Sequence, residues 1–141
     1  MAAGIKRLMF VCRKNSSRSQ MAEGFAKQLG ESNLRVSSSG LQDSKVNPDA
    51  VRAMAAVGVD ISQQTSDALH SFDPEQFDIV ISLCGCGVEL PRSWRSRPIF
   101  EDWQLEDPAE QPEIFPRIRD EIRGRVKALL VSLKAESLVT H

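Results

Sequence analysis

The chain alternates short apolar runs with stretches whose apolar residues recur every three or four positions. Leu8-Met9-Phe10-Val11 and Ile79-Val80-Ile81 are continuous apolar runs, the pattern of strands buried on both faces. The reading predicts strands over residues 8–11, over 34–38 ended by Gly40, over 78–83, and a fourth at Ile99 and Phe100. Between them the period becomes helical. Met21, Ala22, Phe25, Ala26 and Leu29 share one face of a helix expected from Arg18 to Leu29 and closed by Gly30. Asn47 reads as an N-cap, Pro48 as the first helical residue and Gly58 as the stop. A last helix is expected from near Pro112, with Ile118, Ile122, Val126, Leu129 and Leu133 at helical spacing and fraying after Ala135.

Strands that do not alternate in polarity, interleaved with helices, argue for an α/β fold: a four-stranded parallel sheet with helices on both faces. Ligands of such sheets bind at the carboxyl ends of the strands. Cys12 follows the first strand and Cys84 the third, so both are expected on one sheet edge. With no repeat, low-complexity tract or linker, residues 1–141 are expected to form a single domain.

Composition narrows the function. A net charge of -1 implies no general affinity for nucleic acid or membranes, so anion binding must come from a local site. The apolar run over 5–12 is too short for a secretory leader, and no run approaches a membrane span. Three cysteines are odd in number and too few for a secreted disulfide framework. A cytoplasmic protein with functional thiols is the expectation.

The chemistry concentrates in Cys12-Arg13-Lys14-Asn15-Ser16-Ser17-Arg18-Ser19, between the first strand and the first helix. Loop amides and a helix N-terminus favour a tetrahedral oxyanion, and the same positive field favours a thiolate at Cys12. Arg18 adds a planar fork of donors for two oxyanion oxygens. Ser19 is placed to donate to the thiolate, and Asn15 suits an unusual loop conformation because asparagine tolerates left-handed geometry. The competing reading makes Cys12 a strand-end core thiol and Arg18 a solvated helix residue.

Cys84-Gly85-Cys86 forms a second constellation. Two thiols separated by one glycine are close enough for exchange, and a disulfide closing so small a ring is labile. Structural burial is the alternative. Zinc needs about four suitably spaced ligands, whereas the chain offers three cysteines plus His70 and the terminal His141. Asp107, in Glu106-Asp107-Pro108, is a candidate proton donor on a loop, although its spacing alone favours a plain turn before proline. His70 reads as a surface residue, and Trp94 and Trp103 as packing or pocket-rim residues.

Taken together the residues resemble a known family: the arsenate reductases built on the low-molecular-weight protein tyrosine phosphatase fold. The resemblance rests on Val11-Cys12, on Asn15 through Gly24, on Asp60-Ile61-Ser62 with Thr65-Ser66-Asp67, on Ile81 through Cys84, and on Asp107-Pro108. It spans about residues 5–134. Cys84 separates the reductases from true phosphatases, and the compact Cys84-Gly85-Cys86 is similar to the cyanobacterial type, which draws electrons from glutathione and glutaredoxin. Ser17 stands where many members carry a second loop cysteine.

The resemblance implies that residues 13–19 (Arg13, Lys14, Asn15, Ser16, Ser17, Arg18, Ser19) bind arsenate, with phosphate or sulfate as mimics, and that Cys12 attacks it. Cys84 would then attack the adduct and Cys86 relay the disulfide outward, with Asp107 assisting proton transfer. It implies glutathione as co-substrate and no tightly bound cofactor. A possible potassium site comprises Asn15, Glu23, Ser38 and Asp67. A protein tyrosine phosphatase, a thioredoxin-linked reductase, and a non-catalytic redox-sensing or oxyanion-binding module are the alternatives.

Overall fold

The computed structural model describes residues 4–42, 44–85 and 87–139. Four strands, β1 (Lys6–Cys12), β2 (Leu34–Gly40), β3 (Ile79–Ser82) and β4 (Ile99–Asp102), form one parallel sheet in the order β2-β1-β3-β4. Each apolar run appears as a strand. β2 runs on to Gly40, where it pairs with Cys12.

The helices are α1 (Arg18–Leu29), α2 (Pro48–Ala55), α3 (Arg92–Arg95) and α4 (Phe115–Val139). Asn47 caps α2 as expected: its side chain accepts from the Asp49 amide at 2.8 Å. Gly58 lies in the turn beyond α2 at φ +81°, and Gly30 ends α1 in an extended conformation with its N–H on Ala26 O. Pro112–Ile114 forms a 3-10 turn before α4, whose backbone is helical to Val139. No glycine or proline breaks the stretch Ala135-Glu136-Ser137-Leu138.

Alternate residues of the strands feed two cores. Leu8, Phe10, Ile79 and Ile81 meet Met21 and Phe25 of α1, Met54 of α2, and Ile118, Ile122 and Val126 of α4. Met9, Val11 and Val80 meet Leu69, Phe77, Leu90 and Trp94 on the opposite face. Both faces are therefore covered, but unequally. Three helices cover the first, whereas the second carries only short α3 and 3-10 turns. Pro74, Gly85, Gly87 and Pro91 punctuate the chain on either side of β3, while residues 59–73 carry neither glycine nor proline and form a single 3-10 turn, Leu69–Ser71.

The strand order explains the location of the site. From β1 the chain crosses to β2 on one side and later to β3 on the other, which makes the carboxyl ends of β1 and β3 the switch point where α/β sheets bind ligands. Gly40 matters here through close approach. A Cβ on it would sit 2.6 Å from the Asn15 amide nitrogen and 2.7 Å from Gln42 O, both backbone atoms that cannot swing aside. We expect Gly40→Ala to destabilise the protein by about 1–3 kcal/mol through overpacking, read as a lower urea midpoint. An unchanged midpoint would contradict the close packing of β2 against the loop after β1.

Candidate active site

β1 delivers Cys12 to the carboxyl edge of the sheet, and residues 13–17 turn the chain into α1. Asn15 is the pivot. It is fully buried at φ +50°, the left-handed region that asparagine tolerates better than most side chains. Its Nδ2 donates to Ser38 O (3.3 Å) and Asp67 O (3.4 Å), and its Oδ1 accepts from Ser19 Oγ (2.7 Å).

The loop carbonyls are all tied outward. Cys12 O accepts from the Leu41 amide (3.2 Å), Arg13 O from the Gln42 amide (2.9 Å), Ser16 O from the Asn47 amide (2.9 Å) and Ser17 O from the Met21 amide (2.9 Å). Lys14 O accepts from Ser66 Oγ (3.5 Å) and Asn15 O from Gln20 Nε2 (3.0 Å). A trans peptide points its N–H opposite to its C=O, so outward carbonyls turn the following amides toward the inside of the loop. Among the described residues, no amide of residues 13–17 donates to a protein acceptor. The result is a nest of free N–H groups at the N-terminus of α1, which is an anion cradle.

Cys12 is a free thiol, 3% exposed, with Sγ 2.9 Å from Ser19 Oγ. A hydroxyl has one proton. With Cys12 protonated, the thiol donates to Ser19 and Ser19 donates to Asn15. With Cys12 as thiolate, the Ser19 hydroxyl turns to the sulfur. The short polar chain can therefore serve either state of the nucleophile.

Arg18 is 7% exposed. Its Nη1 is anchored on Leu105 O at 2.8 Å, Nη2 lies 3.7 Å from Asp107 Oδ2, and Nε has no protein partner. The Nε–Nη2 edge is thus the part of the fork left for a ligand. Ser17 Oγ is likewise buried without a partner. Cys12, Ser17, Arg18 and Asp107 line one pocket of about 240 Å³, ample for a tetrahedral oxyanion. Arg13, Lys14 and Ser16 line it too. Asp107 makes the turn expected of it, with Oδ1 accepting from the Ala109 amide (3.0 Å), and its Oδ2 faces Arg18.

Cys84 leaves β3, the neighbour of β1, one residue after Leu83, whose amide bonds Val11 O at 2.9 Å. It is half-buried, bridges Gln104, and is engaged in a disulfide. Ser82 Oγ lies 3.8 Å from its sulfur, and Gly85 follows at φ +69°, where a side chain would be strained. Cys86 lies outside the described residues.

The four residues of the expected potassium site come together, and the charge of one of them, Glu23, is met by Lys27. Glu23 is bonded by both Ser38 Oγ and the ammonium of Lys27. The Asn15 amide is committed at both ends, and the Asp67 carboxylate accepts from Thr65 Oγ1 at 2.8 Å. Lys27 already supplies a cation to Glu23, whereas among the described residues Asp67 has a hydroxyl partner and no ion pair. Among the described residues, no cluster of three or more His, Cys, Asp or Glu is placed to hold a metal, and no helix is long and apolar enough to cross a membrane.

His70 is exposed on a 3-10 turn, and Trp94 and Trp103 are buried packing residues. Sequence reasoning missed Ser44 and Glu110, which also line the pocket, and the Leu105 carbonyl that anchors Arg18. Ser44 follows the end of β2 on the ligand edge, a position the sheet rule singles out.

The pocket, its cysteine and its arginine define a class. Residues 7–139 match the family model described as low molecular weight phosphotyrosine protein phosphatase, and the chain belongs to that family. It is similar to the glutaredoxin arsenate reductase of Synechocystis sp., at 52% identity over 92% of this chain and 99% of that one. It is 42% identical to the arsenate reductase of Bacillus subtilis, over 86% of this chain and 93% of that one. Among solved structures it resembles an arsenate reductase in the phosphate binding state, with 53% identity, a TM-score of 0.85, and coverage of 91% and 98% of the two chains.

If Ser19 serves the thiolate, Ser19→Ala should slow iodoacetamide alkylation of Cys12 at fixed pH by about tenfold, the size of a hydrogen bond worth about 1.5 kcal/mol to a charged group. Unchanged alkylation would mean that the 2.9 Å contact does not act on the nucleophile.

Proposed function

We propose that this protein is an arsenate reductase working through a three-cysteine relay, with glutathione and glutaredoxin as the electron source. The observation that carries the reading is the pairing of neighbours on the ligand edge: a free Cys12 inside a nest of inward amides, and a disulfide-engaged Cys84 on the next strand. A phosphatase needs the first and has no use for the second.

Arsenate enters the cradle as an oxyanion held by the loop amides and the free edge of Arg18. The Cys12 thiolate attacks arsenic(V), and the oxygen that leaves takes a proton, for which Asp107 beside Arg18 is the donor. The Cys84 thiolate then attacks the Cys12 sulfur. The S–As bond breaks, its electron pair stays on arsenic, and arsenic(V) becomes arsenic(III). Arsenite departs and a Cys12–Cys84 disulfide remains. Cys86 attacks Cys84, which frees Cys12 and leaves a Cys84–Cys86 disulfide for glutathione or glutaredoxin to reduce. We assign the disulfide at Cys84 to this last state of the relay. Potassium has no step in the scheme, and the chemistry belongs to one domain in a reducing cytoplasm.

Selectivity follows from redox chemistry. Arsenate and phosphate share charge and shape, so the cradle discriminates poorly between them. Only arsenic(V) accepts two electrons from thiols, and phosphate acts as a competing ligand. The solved relative in a phosphate binding state supports this reading of the cradle.

Arsenite production should appear with glutathione plus glutaredoxin and be absent with thioredoxin plus its reductase. Turnover only with thioredoxin would overturn the donor assignment. Cys84→Ser should abolish reduction. A Cys84→Ser protein that still turns over arsenate would refute the relay, and aryl phosphate hydrolysis without any arsenite from the unmodified protein would make it a phosphatase.

A further inference from the structure

Gln20 lies in the first turn of α1 and is fully buried, an uncommon place for a glutamine. Burying an amide costs free energy unless its donors and its acceptor are met. Here all of them are. Nε2 donates to Asn15 O (3.0 Å) and to Thr65 O (2.9 Å), which uses both of its hydrogens. Oε1 accepts from Gln64 Nε2 (2.8 Å), and the same nitrogen donates to Gln20 O (3.0 Å).

Three backbone carbonyls fix both amides. The carbonyl of Gln20 requires the nitrogen of Gln64 beside it, and the carbonyls of Asn15 and Thr65 require the nitrogen of Gln20. Turned over, either amide would set oxygen against oxygen. Gln64 therefore decides which end of Gln20 faces the anion loop.

The carbonyl that Gln20 holds is a critical one. Four of the loop carbonyls are held by backbone amides, and Lys14 O accepts from a hydroxyl. Asn15 O depends on the Gln20 side chain, and it belongs to the residue at φ +50°. A peptide plane turns as a unit. If Asn15 O swung inward, the N–H of Ser16, which lines the pocket, would swing outward. The cradle would lose a donor and gain an oxygen facing the anion.

We propose that Gln20 is a positioning residue of the oxyanion site: steadied by Gln64, it holds the Asn15 carbonyl outside the loop and keeps the Ser16 N–H turned toward bound arsenate or phosphate. This rests on the oxyanion reading of the cradle given above. It deepens that reading by naming the side chain that sets the polarity of one cradle peptide, and it assigns to Gln64 a role at a distance from the ligand. A fixed donor of this kind acts without reorganising when the anion arrives.

The test reads phosphate binding and the Ser16 amide together. Phosphate protection of Cys12 against iodoacetamide gives a dissociation constant for the reduced protein. Gln20→Met keeps the volume and removes the amide, and should raise that constant by about tenfold, the size of one hydrogen bond to a charged group. Gln64→Met leaves Gln20 in place but unsteadied, and should raise it by about threefold. In 15N–1H NMR spectra, phosphate should move the Ser16 amide downfield in the unmodified protein and not in Gln20→Met. A phosphate constant unchanged in Gln20→Met overturns the proposal. If Gln20→Met does not fold, an unchanged constant in Gln64→Met overturns it instead. Weakened binding with the Ser16 response intact overturns it in favour of a purely structural role. No protection by phosphate in the unmodified protein overturns the oxyanion reading and this inference together.

Discussion

The chemistry of this protein depends on the outward bonding of six consecutive carbonyls, from Cys12 to Ser17. A peptide group has two ends, and the anion cradle exists because the protein satisfies one end of each loop peptide from outside. The partners come from four directions: the exit of β2, the N-terminus of α2, the segment before residue 68, and α1 itself. Asn15 makes this geometrically possible by accepting a left-handed conformation and bonding the carbonyls of Ser38 and Asp67. The cradle is therefore built before any ligand arrives, so little of the binding energy goes to ordering it.

The same economy extends to the charged groups. Arg18 has one nitrogen committed to Leu105 O, which orients the remaining edge of the fork. Lys27 meets the buried carboxylate of Glu23 from within the chain, and Ser38 completes that cluster beneath the Asn15 turn. The cradle thus rests on a layer of paired polar groups.

Much of this was legible in the sequence. Continuous apolar runs at 8–11 and 79–81 declared buried parallel strands, and the helical period at 21–29 declared α1 to the residue. Asn47 was readable as a cap because the rule concerns near neighbours, here Asp49 two residues on. Its second task, holding the Ser16 carbonyl through its amide, was not readable, because that contact crosses 31 residues of chain (16 to 47) and depends on the strand order. The ion pair between Arg13 Nη2 and Glu89 Oε2, at 2.5 Å, is hidden for the same reason: an exposed acid has no local signal, and the juxtaposition of β1 and β3 brings it to Arg13. Motif spacing pointed to Cys12 and Arg18, which the fold brings to one pocket, while the residues that orient them belong to long-range packing. The unequal cover of the two sheet faces was hidden too, since residues 59–73 carry no glycine or proline and still form no helix beyond the 3-10 turn Leu69–Ser71.

The central claim is that Cys12 and Cys84 exchange electrons with one bound oxyanion and that Cys86 acts only afterwards. The direct measurement is the mass spectrum of Cys86→Ser after one equivalent of arsenate without external reductant. The account requires one arsenite per chain and a stable Cys12–Cys84 disulfide, with no further turnover. Arsenite released with Cys84 still alkylatable, or no arsenite at all while Cys12 remains reactive, would contradict it.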